Sequence, residues 1–527
     1  MIIQPVLLNG SWRSSCNPEG TFNAINPATR EALPETYPIS GKEDVELALT
    51  AAQQAVGELS SLAPEVIAHF LETFAGEIEE RSHILVQTAQ AETGLPATPR
   101  LAEVELPRTT NQLRQAAAAA LDRSWCRPTI DTAANIRSKY APMGGAVVVF
   151  GPNNFPIAFN SVSGGDFAAA IAAGNPVIAK ANTGHPGTSR ILADAAFTAL
   201  RKSNAPPCLV QMVYRLKPED GLRLVSHPLI GATAFTGSKV AGLRLKKAAE
   251  NAGKPIYLEM SSLNPVVILP GALEERSETI AREFYDSCTL GSGQFCTNPG
   301  LVLLLEGGGS EAFIDSCQGY FHNGPTGVLL GDQVLSDVIA AVNTLRLHGA
   351  ALITGGQLVE GSSYCYANTL LRVSGRTFLR SPAPLQTEAF GPVSLIVSAR
   401  DLPQLIEITE RLEGSLTGCI YSHTKGADDL LYDQIAPTMR SRVGRLLNDK
   451  MPTGVAVSPA MNHGGPYPAT SHPGFTAVGI PASMLRFAAL HCYDNVRFHR
   501  LPLELQDRNC TGTMWRIIDG RWTQESI

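Results

Sequence analysis

The sequence predicts an α/β protein organised around a doubly wound parallel sheet. From Gly144 onward, short apolar runs alternate with Ala-rich amphipathic segments, and Gly, Pro and Asn mark the junctions. That alternation of strand and helix is the pattern of βαβ units. The chain has 527 residues, 44% apolar and 17% charged, which suits about three globular units with sizeable cores.

The elements follow in order. Up to about residue 141 the chain reads as mostly helical: 44–55 and 65–80 repeat apolar residues every three or four positions, and 116–120 is a run of alanines. Residues 125–139 are more polar and β-branched and read as a strand pair projecting from the body, ended by Pro142. Ala146-Val147-Val148-Val149-Phe150 is a strand that can be buried on both faces. A helix over 165–173 stops at Gly174-Asn175. Strands follow at 177–179, 209–213, 231–235 and 256–258, with helices at 188–201 and 238–251. The second half repeats the style at 266–269, 301–305, 351–354 and 393–398, and 454–473, rich in Pro, Gly and His, reads as a packed loop.

Composition excludes several functions. Lys and Arg number 42 against 48 Asp and Glu, a net charge of −6, so no overall positive field attracts nucleic acid or an anionic membrane. The longest apolar run, 167–173, is far below the ~20 residues of a membrane helix. Residues 1–5 lack the basic start and apolar core of a secretion signal, and the ten cysteines are scattered singly. A cytoplasmic protein with reduced thiols and no metal site is expected.

Five places have the residue types for chemistry. Cys296 lies in Gly291-Ser292-Gly293-Gln294-Phe295-Cys296-Thr297, where small residues let the backbone approach a substrate and present N–H groups to an oxyanion. Glu259 ends the strand at 256–258, at the edge where parallel sheets bind ligands. Asn154 follows the strand at 146–150, where a fixed amide can donate to an oxyanion. Lys180 follows the strand at 177–179. Phe235-Thr236-Gly237-Ser238 ends a strand and opens a helix, a place for phosphate. Each alone has an ordinary explanation: a buried thiol, a solvated strand end, a turn residue, a surface lysine, a helix cap. The fingerprint G-x-G-x-x-G is absent.

Taken in order, Asn154-Phe155-Pro156, Lys180, Phe235-Thr236-Gly237-Ser238, Glu259, Gly293-Gln294-Phe295-Cys296 and Glu388-Ala389-Phe390-Gly391-Pro392 resemble the aldehyde dehydrogenase superfamily over nearly the full length. Gly151-Pro152-Asn153-Asn154-Phe155-Pro156, Gln294-Phe295-Cys296-Thr297-Asn298-Pro299-Gly300 and His463-Gly464-Gly465-Pro466-Tyr467-Pro468-Ala469-Thr470 most resemble its 2-oxoglutarate semialdehyde (2,5-dioxopentanoate) dehydrogenases. NADP-dependent fatty aldehyde dehydrogenases resemble the same branch.

The resemblance implies two doubly wound α/β domains, a Rossmann-variant cofactor domain without the glycine fingerprint (1–123 and 143–265) and a catalytic domain (266–455). An oligomerisation arm and C-terminal region (124–142 and 456–527) would complete a homodimer or homotetramer. It implies a thiohemiacetal and then a thioester on Cys296, with Asn154 and the Cys296 N–H at the oxyanion and Glu259 activating water. NADP, with NAD as the other possibility, would meet Lys180 and Thr183 at the adenosine ribose, Gly237 and Ser238 at the pyrophosphate, Glu388 at the nicotinamide ribose and Phe390 at the nicotinamide.

Departures from the family pattern sharpen this. Thr183 stands where many members carry a Glu that repels a 2′-phosphate, so NADP should be accepted, with Arg215 or Lys217 as a further contact. Asn153 replaces the usual Trp, and Met260-Ser261-Ser262 the usual Leu-Gly-Gly, which changes the substrate tunnel. An acidic semialdehyde needs a cation there; Arg108 is a candidate, with a helix-surface arginine as its ordinary reading. A fatty aldehyde is the alternative substrate. A CoA-acylating enzyme is disfavoured because Glu259 is present, and a non-catalytic binding protein on an enzyme scaffold is the alternative of another class.

Overall fold

The computed structural model describes residues 2–60 and 62–527. The first half of the chain builds a seven-stranded sheet. In spatial order its strands are Ile256–Glu259, Ile230–Thr236, Ala146–Phe150, Val177–Lys180, Val210–Val213, Val6–Leu8 and Ser11–Arg13. The first five are parallel, Val6–Leu8 runs antiparallel to them, and Ser11–Arg13 turns back antiparallel to Val6–Leu8. The central strands are short, rich in β-branched residues and buried on both faces, as a sheet covered by helices on either side requires. The chain winds outward from Ala146–Phe150 in one direction, then returns to its other side at Ile230–Thr236. At such a reversal the crevice beyond the carboxyl ends of the strands is open to ligand.

Helices cover this sheet. Pro64–Glu80 and Leu106–Asp122 lie beside the wholly buried helix Gly165–Ala172, with the Phe74 and Phe167 rings edge to face at 5.8 Å. That inner helix stops where expected, and Gly174 supplies the left-handed turn at φ +89°.

The second sheet has the order Ala351–Thr354, Thr369–Ser374, Val393–Ala399, Leu301–Leu305, Val266–Ile268, Ser415–Tyr421 and Val443–Asn448, parallel except for the first strand. Its side chains alternate between two cores: Leu301 and Leu303 enter one, Val302 and Leu304 the other. A five-stranded sheet joins Thr129–Asp131 and Ile136–Pro142, the expected strand pair, to Ala488–Asp494, Arg516–Ile518 and Arg521–Thr523.

Several elements depart from the expectation. The first 40 residues are strands rather than helix: Val6–Leu8, Ser11–Arg13, Thr21–Asn26 and Glu31–Ser40. Three-residue strands carry no readable period, and Glu31–Ser40 contains two prolines, of which Pro34 falls in the irregular stretch of its pairing with Thr21–Asn26. Ser415–Tyr421 is wholly buried yet mixes Ser, Thr and Gly with its apolar residues. Its Gly418 is required by packing, since a Cβ there would lie 2.7 Å from Met439 Sδ. The loop at 454–473 is irregular as expected and folds back on the first sheet, where the Met260 N–H donates to the Ala469 carbonyl at 2.8 Å. Among the described residues no helix is long and apolar enough to cross a membrane.

Candidate active site

The site forms where the ends of the two sheets meet. Glu259 is the last residue of Ile256–Glu259, held by the Gly237 N–H on its carbonyl at 3.1 Å and bridged to Thr470 of the returning loop. Cys296 sits between the turn Leu290–Gly293 and the strand Leu301–Leu305. Gly293, at φ +70°, presses against the chain just after Phe390: a Cβ there would fall 2.1 Å from the Gly391 carbonyl oxygen. At Gly293 the small residue therefore serves a close approach to protein backbone, whereas the sequence suggested an approach to substrate. Asn264 fixes the nucleophile's own backbone, donating from Nδ2 to the carbonyls of Cys296 and Asn298 at 2.9 Å each. Its Oδ1 accepts from Ser262 Oγ (2.8 Å) and Thr417 Oγ1 (2.9 Å), so three segments are tied together.

Cys296, His463 and Glu259 form a tight cluster in which His463 Nε2 meets both of the others. His463 Nε2 is 3.4 Å from Cys296 Sγ and 3.1 Å from Glu259 Oε1. His463 and Glu259 are each 1% exposed. The His463 N–H donates to Thr476 Oγ1 at 2.9 Å and its carbonyl accepts from the Ala477 N–H, which fixes the imidazole's position. Glu259 Oε2 is buried and makes no hydrogen bond among the described residues, so one carboxylate oxygen is left to engage a bound molecule. Burial, and next the Glu259 carboxylate, push the Cys296 thiol well above its usual range, while Arg108 pulls it down. The resting group is a thiol, and a neighbouring base must take its proton before it can attack. The three donor atoms lie within 4.8 Å of one another, a cluster no linear spacing reveals.

Asn154 is held beside the segment that carries Cys296. Its Nδ2 donates to the Gln294 carbonyl at 2.9 Å, which uses one amide hydrogen and leaves the other. Buried Arg100 holds the same turn: Nη2 donates to the Asn154 carbonyl (2.9 Å) and Nη1 pairs with Glu105 Oε1 (2.6 Å). Glu105 Oε2 in turn accepts from the Ile157 and Ala158 N–H groups at 3.0 Å each. The Arg100 guanidinium lies over Phe155 (4.2 Å) and Phe295 (5.0 Å), so both sides of the turn are clamped.

Of the expected cofactor residues, Glu388 and Phe390 line a crevice beside the site, and the others lie at strand ends and a helix start of the first sheet. Ser238 caps the helix Lys239–Asn251, its Oγ accepting from the Ala241 N–H at 3.4 Å. A cleft of about 270 Å³ runs from Lys239 past Ser261 and Ser262 to Glu388. Glu388 Oε1 accepts from the Ser262 N–H at 3.3 Å, and burial pushes its carboxyl up to about 7. Phe390 and Glu388 also line a crevice with Gly293 and Phe295. Lys180 ends its strand with its amine brought down to about 8 by burial and by Arg215 nearby. Thr183 follows in a turn fixed by Asn182, whose Nδ2 donates to the Gly151 carbonyl at 3.0 Å. Lys217, the other suggested phosphate contact, is paired with Glu19 at 3.3 Å.

His463, Arg100 and Arg445 went unnoticed in the sequence. His463 opens the segment 463–470 whose resemblance was noted, but nothing in it pointed to a proton carrier.

Comparisons with known proteins give the chain's family. The aldehyde dehydrogenase family profile matches residues 12–431. The chain is 39% identical over 516 residues to alpha-ketoglutaric semialdehyde dehydrogenase 2 of Azospirillum brasilense, covering 95% of this chain and 96% of that protein. It is 34% identical over 515 residues to alpha-ketoglutaric semialdehyde dehydrogenase of Acinetobacter baylyi, covering 96% of each. Among solved structures, a variant of Thermus thermophilus 1-pyrroline-5-carboxylate dehydrogenase superposes with a TM-score of 0.80 at 22% identity, over 93% of this chain and 92% of that one. Lactaldehyde dehydrogenase from Escherichia coli does so with 0.80 at 22%, over 93% and 98%. The chain belongs to the aldehyde dehydrogenase family and is an NAD(P)-dependent oxidoreductase that acts on aldehydes.

Proposed function

We propose that this enzyme oxidises 2-oxoglutarate semialdehyde to 2-oxoglutarate, with NADP as the favoured cofactor. The cluster Cys296–His463–Glu259 carries the reading of the chemistry. The substrate reading is supported by two relatives of nearly full length that bear the name of this semialdehyde, and the fatty-aldehyde alternative draws no support from them.

With its ring hydrogen on Nδ1, His463 takes the thiol proton at Nε2, and Glu259 Oε1 then accepts from the new Nε2–H and stabilises the imidazolium. Cys296 then adds to the aldehyde carbon, and the second amide hydrogen of Asn154, with the Cys296 N–H, holds the oxygen that becomes negative. A bound nicotinamide cofactor supplies the hydride acceptor that turns this adduct into a thioester. Glu259, through its free Oε2, draws a proton from water, which attacks the thioester and releases the acid. Burial strengthens each of these contacts and keeps stray water away.

Lys180, with Arg215 and without a carboxylate at Thr183, favours a 2′-phosphate. Gly237 and Ser238 meet the pyrophosphate, Glu388 the nicotinamide ribose, and Phe390 the nicotinamide. The cofactor domain is taken as 1–123 and 143–265, the catalytic domain as 266–455, and 124–142 with 456–527 as the arm and C-terminal region. Exposed Leu490, Trp515 and Trp522 support a homo-oligomeric contact on that arm. A cytoplasmic location fits the ten unpaired cysteines.

Initial rates of NADPH and NADH formation with 2-oxoglutarate semialdehyde, succinic semialdehyde, hexanal and decanal test the substrate. The short acidic aldehydes should turn over far faster; turnover of hexanal and decanal alone would move the substrate to the fatty class. Thr183→Glu places a like charge at the 2′-phosphate and should lower kcat/KM for NADP relative to NAD by roughly tenfold or more. A wild-type preference for NAD by about two powers of ten, ~2.7 kcal/mol, would contradict the cofactor assignment.

A further inference from the structure

Two arginines bracket one segment beside the nucleophile. Residues 452–455 are tied to the residue after Cys296: the Gly454 N–H donates to Thr297 Oγ1 at 3.1 Å. Arg108, near the start of the helix Leu106–Asp122, donates from Nη1 to the Val455 carbonyl. Arg445, on the strand Val443–Asn448, donates from Nη2 to the carbonyls of Pro452 (3.2 Å) and Gly454 (3.0 Å).

Each guanidinium is thus held by the protein on one side. On the other side, Arg108 Nε and Nη2 are both buried and meet no acceptor among the described residues, and the same is true of Arg445 Nε. Nε and Nη2 form one edge of a guanidinium, with two parallel N–H groups spaced to grip the two oxygens of a carboxylate. A buried cation with an unpaired edge is costly, so an anion that reaches it gains more than it would at the surface.

A short run of contacts links Arg108 to the reacting thiol. The Arg108 guanidinium lies 5.2 Å over the Phe159 ring, that ring is 6.0 Å from the His463 ring, and His463 Nε2 is 3.4 Å from Sγ. Burial lowers both arginines, Arg108 to about 10, and the charge of Cys296 is the leading influence that opposes it for each. Both are therefore cations at neutral pH that feel the nucleophile's charge.

We propose that Arg108 and Arg445 form the site for the substrate's distal carboxylate, Arg108 gripping it through Nε and Nη2 and Arg445 adding a donor through Nε. The proposal rests on the substrate reading above and deepens it. In 2-oxoglutarate semialdehyde four carbon–carbon bonds separate the carboxylate carbon from the aldehyde carbon, an extended reach of about 5 Å. Binding the carboxylate here also orients the molecule, since Glu259 repels that end and leaves the aldehyde to Cys296. A neutral aldehyde of equal length leaves the buried edge unpaired, which is how a polar pocket rejects an apolar analogue.

The test is the ratio of kcat/KM for an acid aldehyde to that for its neutral counterpart, with succinic semialdehyde against butanal and 2-oxoglutarate semialdehyde against pentanal. Arg108→Gln and Arg445→Gln should each lower this ratio by roughly 10- to 100-fold, the range of a charge-assisted hydrogen bond. Arg108→Lys keeps the charge without the fork and should lower it by several-fold, which serves if the Gln variant does not fold. An unchanged ratio in the variants, whether both rates fall together or neither falls, overturns the carboxylate site. A wild-type enzyme with no preference for the acid aldehydes overturns the substrate reading instead, so the two failures are distinguishable.

Discussion

Glu259→Gln is expected to stall after a single turnover. With His463 still beside Sγ, Cys296 can be deprotonated and acylated, giving a burst of one NADPH per active site. The amide cannot take a proton from water, so the steady rate that follows should drop by roughly 10²- to 10⁴-fold. Stopped-flow absorbance separates the two phases. A second sign accompanies the first: the Glu259 carboxylate is one of the groups holding the Cys296 thiol high, so its loss should lower the thiol's pKa and speed alkylation by iodoacetamide at neutral pH. A slow steady rate without a burst would mean that Glu259, not His463, is needed to make the thioester.

Cys296→Ala should abolish turnover, by roughly 10⁴-fold or more, as loss of a covalent nucleophile does. No other cysteine replaces it. Cys288 and Cys419 are buried and pushed up to about 12, and Cys317 is raised further by burial. Cys492 is exposed on the Ala488–Asp494 strand of the five-stranded sheet, and Cys510 is exposed within six residues of its strand Arg516–Ile518. Replacing a half-buried thiol by a methyl group should leave the melting temperature nearly unchanged, so differential scanning calorimetry can show that the fold survives. Residual NADPH formation near the wild-type rate would remove Cys296 from the chemistry.

The contrast between what could and could not be read in the chain has physical causes. Ala146–Phe150 and Leu301–Leu305 match the expected strands residue for residue, because a buried parallel strand is an unbroken apolar run bounded by turn residues. Val6–Leu8 and Arg516–Ile518 owe their conformation to pairing with distant strands, and three residues show no period. In the site, Cys296, Glu259 and Asn154 each had an ordinary local explanation, and only their order along the chain removed it. His463 lies beyond residue 431, where the family profile ends, and joins the centre through a loop that returns from the far end of the chain. The Arg100–Glu105 pair comes from an irregular turn, Ala97–Glu105, in which Thr98 is extended at φ −125°, ψ 134°, and no helical period predicts such a turn. Arg445 stands on a strand that was not anticipated, so its nearness to Cys296 was invisible.

The central claim is that the aldehyde carbon becomes bonded to Cys296 and that Glu259 releases it. It is tested most directly by acid-quenching Glu259→Gln after mixing with 2-oxoglutarate semialdehyde and NADP, followed by intact mass measurement and peptide mapping. One acyl group per chain, on the peptide that carries Cys296, is the predicted result. A burst of NADPH with no acyl group on the protein, or with the acyl group on another residue, would contradict it.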